Sequence, residues 1–137
     1  MTAPVTWWPE PSAGDIVWCR FPDHLGSPQP KPRPALVLVV YDDDAPEFYV
    51  DVAYGTSQKT DQLYPGEMVI TSADGAAYRQ AGLSYDTKFD LCRVVQLAYN
   101  DQCFMPPPAT PHGLIPKLGS LHPSKVKDAG RAKSKCK

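Results

Sequence analysis

The sequence predicts a small, mainly antiparallel β-barrel with one or two short helices. Five or six short apolar segments are separated by turn residues, and strands and helices do not alternate as they do in parallel sheets. Sixteen prolines among 137 residues disfavour long helices. A chain of this length suits one compact domain. We therefore expect a single barrel made of short strands.

The first two predicted strands, residues 15–21 and 35–41, flank a long loop. In the first strand, apolar side chains occur on both faces. The second is a continuous run of Leu and Val, which is typical of a strand covered on both faces. The loop, residues 22–34, holds five prolines together with His24, Lys31 and Arg33. A loop this long is uncommon unless it is functional. Because the prolines restrict the backbone, its cationic side chains should be partly pre-positioned.

The remaining strands are short. We predict strands at residues 47–53 and 67–70, then a fifth that follows residues 83–89 and a sixth at 91–98. A short helix at residues 73–81 should be capped by Ser72 or Asp74 and ended by Gly82. Thr56 and Ser57 follow the third strand beside Gly55, where hydroxyls can bind an anion or a base edge, or simply cap a turn.

Both ends of the chain differ from the predicted barrel, residues 14–118. Residues 1–13 form an extended arm whose Trp7 and Trp8 should pack on the barrel or on a partner. Residues 119–137 read as a flexible basic tail. Residues 117–137 carry seven Lys or Arg and one acid, whereas the first 116 carry seven and fourteen. The body is therefore not an evident nucleic-acid binder, and the basic end either attracts phosphate or is a solvated terminus.

No metal, cofactor or membrane signature is present. The cysteines form no CxxC pair at zinc-ligand spacing, so Cys19 and Cys92 are expected to be small buried side chains and Cys136 an exposed thiol. Phosphate-loop, nucleotide-fold and common hydrolase motifs are missing. No signal peptide or apolar run of membrane-spanning length is seen. We expect a cytoplasmic protein without metal or cofactor.

One later stretch has residues suited to catalysis. In an extended segment Lys88 and Asp90 share a face, because side chains alternate with period two. A carboxylate can accept a proton from a nucleophile while an ammonium stabilises developing negative charge. The same spacing also fits an ordinary surface ion pair. Spacing alone leaves both interpretations open.

The order of these motifs resembles that of the PemK/MazF family, toxins of type II toxin–antitoxin modules. GDIV at residues 14–17 is followed by the proline-rich loop and by RPALVL at residues 33–38. Thr56-Ser57 is similar to the family's Thr-Ser pair. Lys88-x-Asp90-x-x-Arg93 is similar to an Arg-x-Asp-x-x-Arg segment, with lysine in the first place. The similarity covers roughly residues 14–97 and implies an SH3-like barrel that is usually dimeric.

The resemblance also implies an activity. Family members are metal-independent endoribonucleases that cut single-stranded RNA by attack of a ribose 2′-OH. Arg33 would clamp the phosphate, Asp90 would act as general base, Lys88 would stabilise charge and His24 would protonate the leaving oxygen. The substrate-binding residues would be Thr56, Ser57, Lys31 and Arg93. The implied partners are single-stranded RNA, a cognate antitoxin with an acidic segment, and a second copy of the chain.

A second interpretation keeps the fold without the chemistry. The lysine at position 88, the altered loop and the acidic body would suit a non-catalytic barrel. Such a barrel would bind protein or nucleic acid through the loop groove and the basic tail.

Overall fold

A computed structural model describes residues 4–20 and 31–136. In this part of the chain the strands are β1 (Asp15–Cys19), β2 (Arg33–Tyr41), β3 (Tyr49–Thr56), β4 (Glu67–Ile70), β5 (Thr87–Ala98) and β6 (Lys117–Ser120). The helices are α1 (Ala76–Ala81) and α2 (Pro123–Ser134), with a 3-10 turn at Ser72–Asp74. All paired strands are antiparallel, in the order β4-β5-β3-β2-β1-β6. The sheet curls into a half-barrel, which confirms the predicted mainly β class.

Both faces of the sheet are buried, as the apolar runs predict. Neighbouring residues in β1 point to opposite faces, so Ile16 belongs to one core and Val17 to the other, and neither is exposed. The first core includes Leu36, Met68, Ile70, Phe89 and Leu91 and is partly covered by the helices. The second includes Val37, Val50, Val52, Tyr99 and Phe104. The two cores explain why β2 reads as one unbroken apolar run.

The largest difference from the predicted strands lies in β5. The structure has one strand where the sequence predicts a fifth and a sixth. Pairing with β3 passes from Ala53 opposite Val94 to Gly55 opposite Phe89, so residues 90–93 bulge out of the ladder. A bulge interrupts the period-two pattern, and the interruption imitates a strand boundary in the sequence. It also turns Cys92, which the sequence predicts to be buried, outward.

Helix α1 connects the two edges of the sheet through a glycine contact. A capping box of Thr71 and Asp74 precedes the helix, and Gly82, with φ of +70°, ends it. A Cβ on Gly82 would overlap the carbonyl oxygen of Leu118, and one on Gly119 would overlap that of Gln80. Only glycines allow the end of α1 to lie this close to β6.

Residues 123–134 form helix α2, within the segment that the sequence predicts to be a flexible basic tail. Proline at the first position of α2 and the His122 side chain, which accepts a hydrogen bond from the Ser124 amide, start the helix. Ala132 is buried in the first core. Cys136 forms a disulfide with Cys92, so neither is the free thiol that the sequence predicts. Helix α2 packs against β4, although the segment that leads to it is rich in proline.

An ion-pair cluster holds the first half of α2. The Lys125 ammonium lies 3.2 Å from Asp74 and 3.5 Å from Asp128, and it donates to the carbonyl of Val69. Burial alone would raise the pKa of Asp74, but hydrogen bonds from Thr71 and Lys125 hold it below its ordinary value. A hydrogen bond from Arg131, followed by the charge of Lys125, lowers the pKa of Asp128.

This cluster predicts acid sensitivity of the helix. A carboxyl with a lowered folded-state pKa stabilises the fold above its unfolded value, and that stabilisation is lost as pH falls through the folded value. We expect the free energy of unfolding to fall once the pH drops below about 4. Urea titrations between pH 7 and pH 3 measure it. Lys125→Met should flatten the dependence, and an unchanged slope would contradict the assignment.

Both tryptophans of the N-terminal arm pack on the sheet and its loops. The Trp8 indole donates to the carbonyl of Phe104 at 3.2 Å, and Trp7 lies edge-on to Tyr49 with ring centroids 5.7 Å apart. The sequence left open whether the indoles contact the barrel or a partner, and here they contact the barrel. Within residues 4–20 and 31–136, no helix has the length and apolar character needed to cross a membrane.

Candidate functional site

Two clefts open on either side of Thr56. The Arg33 cleft, about 780 Å³, is lined by Trp18, Lys31, Pro32, Arg33, Pro34, Thr56, Ser57, Gln58, Ser84, Tyr85, Thr87 and residues of the 107–111 segment, among others. The Lys88 cleft, about 740 Å³, is lined by Tyr54, Thr56, Tyr64, Pro65, Glu67, Lys88, Asp90, Arg93, Val94 and Val95. Because Thr56 lines both, the clefts are neighbours on one surface.

Strand register explains why the clefts meet. Ala35 pairs with Tyr54, so two residues further along each strand Arg33 lies level with Thr56. Thr56 in turn pairs with Lys88 of β5. Directly opposed residues of antiparallel strands project to the same face. The sheet therefore places Arg33, Thr56 and Lys88 in one row across three strands.

Arg33 is held at the first position of β2. Prolines on both sides restrict its backbone, and its guanidinium carbon lies 5.5 Å from the centroid of the Tyr54 ring. Lys31 and Arg33 are the charged residues that line the Arg33 cleft, and none of its described lining residues is a carboxylate. The described lining of this cleft is therefore positively charged, on a chain whose net charge is −1.

Thr56 and Ser57 occupy the turn after β3. The Thr56 hydroxyl accepts a hydrogen bond from the Gln58 amide at 3.1 Å, and its proton can still be donated to a ligand. Ser57 is exposed and lines the Arg33 cleft. The capping role that the sequence left open for these hydroxyls is thus present for Thr56, and both remain available at the cleft wall.

Lys88 is buried and already has protein partners. Its ammonium donates to the carbonyl of Gln62 at 2.8 Å and to the Glu67 carboxylate at 3.0 Å, and it lies 5.5 Å from the centroid of the Tyr64 ring. The Lys88 and Glu67 side chains are 7% and 12% exposed. Two of the three ammonium donors are therefore used inside the protein.

Asp90 shares the Lys88 cleft but makes separate contacts. One carboxylate oxygen accepts the Cys92 amide at 3.0 Å, and the other lies 3.6 Å from Nε of the exposed Arg93. Its side chain is 29% exposed, so it can be reached from the cleft. All three of these residues belong to the bulge of β5. The bulge places the side chains of Asp90 and Arg93 in the wall of the Lys88 cleft.

Sequence reasoning missed Glu67, the partner of Lys88. Glu67 lies directly opposite Asp90 in the β4–β5 ladder, and its carboxylate is 3.0 Å from the Lys88 ammonium. Nothing in the sequence around Glu67 marks it as the partner of Lys88, because the pairing can be inferred only once the register between β4 and β5 is known. Tyr54 and Tyr64, whose ring centroids lie 5.5 Å from Arg33 and Lys88, were also missed, because each contact joins residues that are distant in the sequence.

The buried pair predicts an asymmetric mutational response. Glu67→Ala leaves the Lys88 ammonium without its carboxylate and is expected to lower the free energy of unfolding by about 3 kcal/mol. The double variant Glu67→Gln/Lys88→Met removes both charges and should cost less than Glu67→Ala. Urea unfolding of the two proteins measures the difference. Equal or greater loss in the double variant would contradict the pairing.

Two further expectations from the sequence concern His24 and metal binding. His24, proposed to protonate the leaving oxygen, lies outside the described residues. Over the described ranges, no cluster of three or more His, Cys, Asp or Glu side chains could hold a metal ion.

Comparison with known proteins finds a family that this chain matches. The family model of the PemK-like, MazF-like toxin of type II toxin–antitoxin system matches residues 12–101, which is 90 of 137 residues. The match spans β1 to β5 and every residue predicted for the site. It confirms the resemblance inferred from the motifs. A search of curated proteins found no match.

Proposed function

The chain belongs to the PemK-like, MazF-like toxins of type II toxin–antitoxin systems, and we propose that it is a metal-independent endoribonuclease. A type II toxin has an antitoxin partner. The substrate we propose is single-stranded RNA, cut by attack of a ribose 2′-OH on the adjacent phosphate. The observation that carries the proposal is the row formed by Arg33, Thr56 and Lys88, with Asp90 beside it.

Arg33 suits a phosphate clamp. A guanidinium presents parallel N–H donors that match two oxygens of a phosphate, and it keeps its charge at every relevant pH. No carboxylate lines the described part of the Arg33 cleft to compete with the phosphate. The Thr56 hydroxyl at the boundary of the clefts can donate to the same group. The scissile phosphate would therefore lie over Thr56, with Arg33 on one side and the Lys88 cleft on the other.

Asp90 is the proposed general base. It accepts the 2′-OH proton while the 2′-oxygen attacks phosphorus and the 5′-oxygen leaves, giving a 2′,3′-cyclic phosphate and a 5′-OH. One carboxylate oxygen lies 3.6 Å from Nε of the exposed Arg93, and the other accepts a hydrogen bond from the Cys92 amide. Lys88 contributes positive charge from its buried position on β5, where the Glu67 carboxylate holds its ammonium. His24 is the proposed proton donor to the leaving oxygen.

The Arg33 cleft also suits unpaired bases. Trp18 lines it, and so does Tyr85, which is 73% exposed. Aromatic faces stack on the bases of single-stranded RNA and cannot do so when the bases are paired in a duplex. Lys31 and Arg93, one in each cleft, would bind flanking phosphates, and Ser57 would contact phosphate or a base edge. These contacts favour a single strand that crosses both clefts.

Further partners follow from the same charges. An acidic antitoxin segment placed over Arg33 and Lys31 would compete directly with RNA. A homodimer is proposed from the family alone.

A non-catalytic barrel is the second candidate, and one observation favours it. Lys88 spends two donors on Gln62 and Glu67, and Asp90 already accepts from Cys92, so the pair is partly engaged in holding the fold. Such a barrel would bind RNA or an acidic protein segment through the Arg33 cleft without cutting RNA.

One assay separates the two candidates. Purified protein is incubated in EDTA with a labelled single-stranded RNA and, as the matched control, the same RNA annealed to its complement. The nuclease proposal expects cleavage of the single strand with 5′-OH products and little cleavage of the duplex. Tight binding without cleavage at high protein concentration would establish the binding module instead.

A further inference from the structure

We propose that Cys92 and Cys136 are a redox modification site whose disulfide latches α2 onto the bulge that carries Asp90. The pair joins two positions 44 residues apart, with Cα atoms separated by 5.3 Å. Neither Cys19, which is buried, nor Cys103, which is half-buried, belongs to this bridge. The latch itself rests on contacts in the structure, and its effect on cleavage rests on the proposed function.

The disulfide lies next to the candidate general base. Cys92 is two residues from Asp90, and its own amide holds one oxygen of that carboxylate. Its sulfur also packs against Gly66, where a Cβ would overlap it and where φ is +93°. Gly66 precedes Glu67, the partner of Lys88. The sulfur bridge therefore joins α2 to β5 and lies against the residue that precedes β4, and both strands contribute residues to the Lys88 cleft.

Helix α2 has few other attachments. Within residues 123–134, Ala132 is the one buried residue, and Val126 is 54% exposed. The Lys125 cluster holds its first half, whereas Lys133, which donates to the carbonyl of Leu91 at 3.1 Å, holds its second half. An open groove of about 410 Å³ remains between the helix and residues 63–69. A helix packed this sparsely depends on its covalent link at the C-terminal end.

The bridge is open to exchange. Cys92 is exposed, so the thiolate of a dithiol reductant can attack its sulfur and release the Cys136 thiolate. The second thiol of the reductant then attacks the mixed disulfide and releases Cys92. Two electrons and two protons pass to the cysteine pair, and the dithiol becomes a disulfide. The reaction reverses when the reductant pool is oxidised.

Reduction removes the outer support of the bulge. The cross-link is lost, α2 loosens from its last turn, and the Lys133 contact to Leu91 loosens with it. Leu91 and Cys92 set the backbone from which Asp90 projects, so the carboxylate loses its fixed orientation. Arg33 lies on β2, away from this change. We expect reduction to lower kcat about tenfold with little change in KM, since small misplacement of a catalytic group is costly.

The test compares oxidised and dithiothreitol-treated full-length protein. Thiol labelling with mass spectrometry should find two additional reactive cysteines, 92 and 136, after reduction. Hydrogen exchange should become at least severalfold faster in residues 123–136 and 90–93. Cys136→Ser should behave as the reduced form and no longer respond to dithiothreitol. Cys103→Ser, which alters a half-buried free thiol, should respond as wild type does.

Each result decides a separate part of the proposal. Absence of the disulfide in oxidised protein, or identical exchange in both states, would overturn the latch. A latch detected by exchange with unchanged kcat would overturn its control of cleavage. If neither state cuts RNA, the nuclease proposal fails, while labelling and exchange still decide the latch.

Discussion

Replacing Arg33 with alanine is expected to lower RNA cleavage by about 100- to 1000-fold, the usual cost of removing one preorganised donor from a charge-stabilising site. Among the described residues that line its cleft, Lys31 is the other charged one, so this part of the chain offers no second guanidinium to replace Arg33. Its removal should lower the rate of cleavage far more than the stability of the fold, since the side chain is only half-buried.

Two variants sharpen this expectation. Arg33→Lys keeps the charge but loses the planar fork, so most of the activity should remain lost. Arg79→Ala removes an exposed arginine from α1, outside both clefts, and should leave cleavage unchanged. Single-turnover rates on one labelled RNA compare the three proteins. Cleavage at the wild-type rate by Arg33→Ala would remove Arg33 from the site.

Replacing Phe89 with alanine is expected to lower the free energy of unfolding by about 4 kcal/mol. Phe89 is fully buried, lies between Lys88 and Asp90 and pairs with Gly55 and Met68 on the two neighbouring strands. Loss of the ring removes apolar burial and leaves a cavity in the first core. The ring also packs closely on Gly55, so the surrounding backbone cannot readily collapse into the space.

Urea unfolding measures this cost, with Leu114→Ala as the matched surface control. Leu114 is 78% exposed, and its truncation should change stability little. Phe89→Leu, which refills part of the space, should cost less than Phe89→Ala. A Phe89→Ala protein as stable as the Leu114→Ala protein would mean that the first core does not depend on this ring.

The strand pattern predicts most of the sheet because its signals are local. Alternation in β1, the apolar run of β2 and the short β4 follow from side chains that lie within a few residues of each other. Lys88 and Asp90 line the same cleft, as period-two alternation predicts. Class and motif order could therefore be inferred without any coordinates.

Contacts between distant residues could not be inferred in the same way. The bulge of β5 follows from its register against β3, and the Lys88–Glu67 pair follows from the register of β4. Helix α2 carried one readable signal, a proline directly after His122, but lysines and small residues conceal its buried position, Ala132. The Cys92–Cys136 pairing required knowing that α2 packs beside the bulge.

The central claim is tested most directly by removing the attacking hydroxyl from the substrate. A single-stranded oligonucleotide is made of 2′-deoxynucleotides with one ribonucleotide placed at the cleavage position found in the all-RNA strand. The account predicts cleavage at that ribonucleotide, leaving a 2′,3′-cyclic phosphate and a 5′-OH, and no cleavage of the all-deoxy strand. Equal cleavage of the all-deoxy strand would contradict attack by the 2′-OH.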